Sequence, residues 1–354
     1  MSARRRGIGS ALLAAALFGV SAPFAKLILA GIQPQLMAGL LYAGSGVGLA
    51  IVWVVRHAGG SRGPSDALTR KDAPWLAGAI LFGGVIAPVL LMIGLSRTPA
   101  SAASLLLNLE GVLTALLAWF VFRENFDRRI ALGMLAILAG GVILSWEGAL
   151  SLGGLTGPLA VAGACLCWGV DNNLTQKVSA SDPIQVAMFK GLAAGIVNTG
   201  IALAFGAATP TIAYMATAML LGFLSYGVSL TLFVVALRTL GTARTGAYFS
   251  TAPFIGATAS LFVFHERPSA ALGAAAILMA VGVWLHVSER HSHAHSHESM
   301  DHAHAHVHDE HHQHAHAPDD PAVTDPRPHS HPHHHTPLEH SHPHYPDIHH
   351  RHSH

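Results

Sequence analysis

Apolar residues run along this chain in blocks of about twenty, separated by short polar punctuation. A helix rises about 1.5 Å per residue, so about 20 apolar residues cross the ~30 Å hydrocarbon core of a bilayer. Ten blocks reach that length: residues 8–30, 34–56, 74–96, 99–121, 129–147, 157–177, 183–205, 212–237, 243–264 and 268–287. They predict an all-α polytopic membrane protein with ten transmembrane helices, numbered here as spans one to ten. The basic start Arg4-Arg5-Arg6 and the run after it look like a signal peptide, but the run continues to Ala30 with no clear cleavage site before a soluble domain. It therefore reads as a first span.

The pattern repeats after about 141 residues. The end of span four, FVFRE from Phe120 to Glu124, matches FVFHE from Phe262 to Glu266 at the end of span nine. SRTPASAAS before span four matches LRTLGTART before span nine, ALGMLAILAGGVIL in span five matches ALGAAAILMAVGVWL in span ten, and ALFGVSAPFAK in span one matches CLCWGVDNNLTQK in span six. A unit with an odd number of spans must sit inverted relative to its copy, which predicts two inverted five-helix repeats, 8–147 and 157–287. Fourteen of the Lys and Arg residues outside the tail fall on the side of the N-terminus, against Arg97 and Arg267 on the other. Both termini are therefore expected in the cytoplasm, with the protein in a bacterial inner (plasma) membrane.

Composition agrees for most of the chain and divides off the rest. Half of the residues are hydrophobic and 11% are charged, against about 25% charged in an ordinary soluble domain. Residues 288–354 are different in kind. Of 27 histidines, all but His57, His265 and His286 lie from His291 onward, in a stretch with nine carboxylates, two arginines and much proline. So few apolar residues cannot offset the ordering entropy, and a disordered tail is expected. Cys165 and Cys167 point about 200° apart on a helix and make neither a disulfide nor a metal pair.

The doubled unit resembles the EamA domain of the drug/metabolite transporter superfamily over residues 8–287. The motifs that carry the likeness are the small-residue-rich first helix, the (A/L)xRT entry to the fourth, the FxFxE exit and the LG…AG fifth helix. The resemblance implies ten-helix exporters of small metabolites, with a central cavity between the first four helices of each repeat and the fifth and tenth helices peripheral. Asp171-Asn172-Asn173 and Glu110 depart from the apolar or proline-containing pattern of the family, so the substrate does not carry over.

Ionisable groups deep in hydrocarbon cost about 2.5–3.5 kcal/mol each on insertion scales, which makes them candidate functional residues. Glu110, in mid-span four with Asn108 beside it, reads as a proton or cation carboxylate or as a structural acid. Asp171 in span six and Lys190 in span seven share a depth of about 10 Å and should pair, either as a gate or binding pair or as structure alone. Asn172, Asn173 and Asn198 are cavity contacts or interhelical glue, with glue the better founded. Lys26 is expected to snorkel, and Glu124 and Glu266 mark helix ends. Pro23, Pro88 and Pro253 should kink spans one, three and nine and free carbonyls for a cavity. The Gly/Ala faces of spans five and ten are packing surfaces, with a homodimer interface as a secondary reading. No nucleic-acid partner is expected.

No phosphate-binding loop, HExxH or GxSxG motif occurs, so the chain reads as no enzyme and as needing no cofactor. The tail is the remaining chemistry. Imidazoles at H-x-H spacing, His291, His293, His295, His297, His302, His304, His306, His308, His311, His312, His314 and His316, suit Zn²⁺, Ni²⁺ or Co²⁺. Three readings follow: a gradient-driven metabolite exporter with a metal-binding regulatory or buffering tail, a divalent-metal efflux carrier fed by the tail, and a membrane-anchored metal store. Ten spans weigh against the third, since an anchor needs one.

Overall fold

The structure, a computed structural model, describes residues 3–58, 68, 70–122, 128–146, 152–176, 178, 181–240 and 242–287, and in the tail 292–297, 300–306, 329–335 and 338–343. The chain divides into a large helical unit and a unit made mainly of the tail from Arg290 onward.

Helix occupies each predicted span. Spans two, five, six, seven and ten are single helices: Pro34–Ala58, Arg128–Trp146, Thr156–Gln176, Pro183–Ala204 and Ala270–Val287. Span one is split into Ala3–Gly19 and Ser21–Ile28, span four into Ala100–Leu106 and Leu109–Phe122, and span nine into Thr242–Phe249 and Ala252–Val263. Spans three and eight each pass through a π-helical turn, Ile80–Ile86 and Phe223–Val228. Six stretches among the described residues are long and apolar enough to cross a membrane by themselves. Thr156–Gln176 has the length but carries Asp171, Asn172 and Asn173 in its second half. Ile51, Val55, Leu135, Val142, Ile196 and Leu220 are all more than half exposed on the outside of the bundle. Such an apolar surface is matched to lipid, and the protein is an integral membrane protein.

Proline accounts for three of the irregularities. It lacks an N–H and clashes with the carbonyl four residues back. Pro23 acts on Gly19, where span one breaks; Pro253 acts on Phe249, where span nine breaks; Pro88 acts on Gly84, inside the π turn of span three. Span four breaks without a proline. There the Asn108 amide donates to the Leu105 carbonyl at 2.8 Å and diverts it from the helical ladder.

Packing pairs spans two with seven, five with ten, four with nine, three with six, and one with eight. Each pairing maps onto itself or onto another when a span is exchanged for the one five later. Span two approaches span seven backbone to backbone: a Cβ on Gly191 would lie 2.6 Å from the Gly46 nitrogen, so only glycine permits the contact. The small-residue faces of spans five and ten pack on each other within the chain, Gly140 against Met279 and Gly282 against Ile137. Asp182 caps span seven by accepting from the Ile184 amide at 3.0 Å.

In the tail, Ser292–His297 pairs antiparallel with Leu338–Pro343, and Met300–His306 with His329–His335. The H-x-H alternation that suits metal is also the period of a strand.

Candidate functional site

Span six carries the polar heart of the molecule, and glycines make room for it. Asp171, 3% exposed, accepts from the Lys190 ammonium of span seven and from the Thr175 hydroxyl at 2.9 Å. A Cβ on Gly83 of span three would overlap that carboxylate. The pair expected from depth is therefore formed, with the carboxylate directly against Gly83 of the π segment.

Glu110 opens the second half of span four. Asn172 donates to Glu110 Oε1 at 2.9 Å and to the Thr114 hydroxyl at 3.3 Å. Its neighbour Asn173 turns to backbone, donating to the carbonyls of Gly169 at 2.8 Å and Thr114 at 3.3 Å. Among the described residues no cation forms an ion pair with Glu110. Asp171 and Lys190 compensate each other; Glu110 accepts from the Asn172 amide.

Two of the candidates belong elsewhere. Asn108 bonds its own helix and approaches Met279 Sδ of span ten at 3.8 Å, away from Glu110. Asn198 donates to the carbonyls of Gly84 at 3.1 Å and Val85 at 3.2 Å, and accepts from Gln35 at 3.0 Å. That is the glue role. The freed carbonyls expected beside Pro88 are not open to a ligand, since the Gly83 carbonyl accepts from the Tyr42 hydroxyl at 2.7 Å and from Trp168 Nε1 at 3.1 Å. Tyr42, Trp168 and Gln35 join the site, although the sequence pattern does not mark Tyr42 or Gln35. A signal was present in Trp168, three residues before Asp171 on a helix face that has to carry its polar edge to an acceptor.

Metal chemistry finds less support inside the bundle. No group of three His, Cys, Asp or Glu side chains gathers among the described residues, and Cys165 is buried against the Leu106 carbonyl at 3.7 Å. His293, His295, His297, His302, His304 and His306 fall on the tail strands. His291, His308, His311, His312, His314 and His316 lie outside the described residues.

A described "uncharacterized transporter" of Methanothermobacter thermautotrophicus is 30% identical over 292 residues, covering 79% of this chain and 85% of its own. Probable 4-amino-4-deoxy-L-arabinose-phosphoundecaprenol flippase subunits ArnE of Pseudomonas fluorescens and Pseudomonas aeruginosa are 40% identical over 81 residues and 42% identical over 78. Each match takes in less than a quarter of this chain, and 69% and 65% of the respective subunits. A solved crystal structure covers 81% of this chain and 96% of its own with a TM-score of 0.57 at 21% identity, which supports the fold. The model of the EamA-like transporter family matches twice, over residues 5–146 and again over 155–288. With a polar site at the meeting of its two halves and both halves matching that one model, the chain belongs to the EamA-like transporter family and is a membrane transporter.

Proposed function

We propose that this transporter is a gradient-driven exporter of a small metabolite, working by alternating access between two inverted five-helix repeats in the plasma membrane, with both termini cytoplasmic. The observation that carries the reading is the unequal charge balance at the centre. Asp171 and Lys190 form a neutral pair, while Glu110 is a carboxylate held by Asn172 that among the described residues forms no ion pair. A lone carboxylate at that depth is costly unless it takes up a proton or a cationic group. Glu110 is thus the group that trades a proton or ion for cargo, and the pair beside it fixes the cavity wall. No ATP-binding motif is present in the sequence, in keeping with an energy source in a gradient.

The test reconstitutes the protein in vesicles under a proton gradient and measures counterflow of a labelled metabolite pool with Glu110→Gln, Asp171→Asn, Lys190→Met and the double change Asp171→Asn/Lys190→Met. Glu110→Gln should abolish proton-driven flux. The single changes at the pair should each cost far more than the double, because a single change strands a buried charge. Loss of flux in the double change equal to that of the singles would assign the pair a direct part in transport. Flux through Glu110→Gln at the wild-type rate would sink the coupling role.

A second reading keeps its place because of the histidines. The tail binds Zn²⁺, Ni²⁺ or Co²⁺ as a regulator or buffer, or it collects the ion for efflux. Vesicles holding the full chain, or a chain truncated after Arg290, are loaded with Ni²⁺ and read with an internal dye. The exporter reading expects equilibrium binding that the truncation removes and no net Ni²⁺ movement. Movement by the full chain would establish the metal carrier instead. Binding should weaken as pH falls through about 6.5, where imidazole protonates.

A further inference from the structure

Three spans break at mid-depth, and the short helices on one side of those breaks pack on each other. Ser21–Ile28 follows the break at Val20, Ala100–Leu106 precedes the break at Leu107–Asn108, and Ala252–Val263 follows the break at Ser250–Thr251. Each of the three touches the other two. Two come from the first repeat and one from the second. Ala252–Val263 meets Ala100–Leu106 through small residues, where a Cβ on Gly256 would lie 3.0 Å from Ser104 Oγ, and it also meets the end of Ala3–Gly19 just before the Val20 break, where the same Cβ would lie 2.5 Å from the Gly19 carbonyl oxygen. Small residues let these backbones approach closely.

At the far end from the breaks, the same three helices are tied by polar groups. Lys26, on Ser21–Ile28, donates to the Thr98 carbonyl at the end of span three and sits 5.7 Å from the Phe264 ring centre. Glu266, just past Ala252–Val263, accepts from the amides of Ala100 at 2.9 Å and Ser101 at 3.3 Å and from the Ser101 hydroxyl. His265 delivers it there in a left-handed conformation, φ 51, a region that a residue with a side chain seldom adopts. Lys26 and Glu266 are half-buried, so water can replace their partners. Lys26 bonds the end of another span, and Glu266, just past a helix end, also ties that helix to the start of span four.

We propose that Ser21–Ile28, Ala100–Leu106 and Ala252–Val263 form one gate, hinged at Val20, Leu107–Asn108 and Ser250–Thr251 and latched shut by Lys26 and Glu266. The proposal rests on the alternating-access reading above. In this structure the latch is closed. Opening exchanges its hydrogen bonds for water at the rim, swings the three helices about their breaks and separates the Gly19, Ser104 and Gly256 contact. The span-four hinge ends two residues before Glu110, so the loading of that carboxylate and the state of the gate bear on each other through one turn of backbone.

The test uses Ser104→Cys, since Ser104 is 1% exposed, its hydroxyl has no hydrogen-bond partner, and it lies one turn inside the latch. The full chain is held in nanodiscs and treated with a membrane-impermeant maleimide, and peptide mass spectrometry reads the introduced thiol apart from Cys165 and Cys167. With the latch intact the thiol reacts slowly. Adding Glu266→Ala should raise its rate about tenfold, as expected when hydrogen bonds to a charged group are taken from a closed state in equilibrium with an open one. Adding Ser101→Ala, which removes one donor and leaves both helices whole, should raise it about threefold. The second variant decides the matter if Glu266→Ala does not fold. Unchanged rates in the folded variants overturn the gate, and so does an equal rise at Ser225→Cys, buried in span eight, since that would mean general loosening. Flux measured on the same nanodisc-derived protein in vesicles separates the two ideas. A thiol that answers to the latch in a protein that moves no solute leaves the gate standing and removes the exporter; normal flux with a silent thiol removes the gate alone.

Discussion

Span three and span eight hold equivalent places in their repeats, and both pass through a π turn, yet the two turns are built differently. In span three Pro88 withdraws an amide from the ladder, and the carbonyls left over, Gly83, Gly84 and Val85, find donors on Tyr42, Trp168 and Asn198 from spans two, six and seven. In span eight the turn Phe223–Val228 is followed by Ser229–Leu240 without a proline. Among the described residues no other span donates to its carbonyls; Thr231 of the same helix donates to Gly227 at 3.0 Å. A π turn with two different local causes at one place in the repeat belongs to the fold more than to either sequence. The bonding differs because span three backs the buried pair of Asp171 and Lys190, while span eight meets span two through small contacts such as Gly222 on Leu41. One is a pinned wall, the other a packed one.

The largest expected break in this comparison is at glycine. Gly83→Ala puts a methyl group into the Asp171 carboxylate, so the pair must part or the π turn must shift. Parting a buried pair costs about 3–5 kcal/mol. In Gly227→Ala of span eight, the new methyl would meet nothing nearer than Phe223 at 3.3 Å, and the loss should stay under about 1 kcal/mol. Thermal unfolding of the two purified variants by intrinsic fluorescence checks this. Equal losses would mean that span three is no more constrained than span eight.

These two spans also mark what could be read from the sequence. The spans themselves were legible because lipid demands length and apolarity, and both are properties of a run of residues. The breaks at Pro23, Pro88 and Pro253 were legible because proline acts on its own helix. The pairing of Asp171 with Lys190 followed from depth alone, since an unpaired charge there is too costly. What was hidden depended on partners distant in sequence. Asn198 found Gly84, Glu266 found Ser101, and Tyr42 found Gly83 across 114, 165 and 41 residues, and no local pattern announces such a meeting. The π turn of span eight has no proline, and the break in span four came from an asparagine whose side chain chose its own backbone. In the tail, ligand spacing and strand period are the same alternation, so the pattern by itself does not separate the two.

A smaller test asks whether the pinning itself matters. Asn198 is fully buried and serves three partners at once, the Gly84 and Val85 carbonyls and the Gln35 amide. Asn198→Leu keeps the volume and leaves all three without it. Hydrogen bonds between helices in a membrane are worth about 0.6 kcal/mol each on average, and a buried group left unpaired adds to that, so the loss should come to about 1–2 kcal/mol. Thr231→Val in span eight removes a bond to a carbonyl of its own helix and should cost under about 0.5 kcal/mol. Backbone amide exchange sharpens the contrast, because it reports where the loosening occurs. Asn198→Leu should speed exchange in Ile80–Arg97 by several fold and leave Phe223–Val228 as it was, while Thr231→Val should move neither. If Asn198→Leu loosened both π turns alike, the two walls would be one cooperative body, and the asymmetry between them would lie in their bonds without reaching their motions.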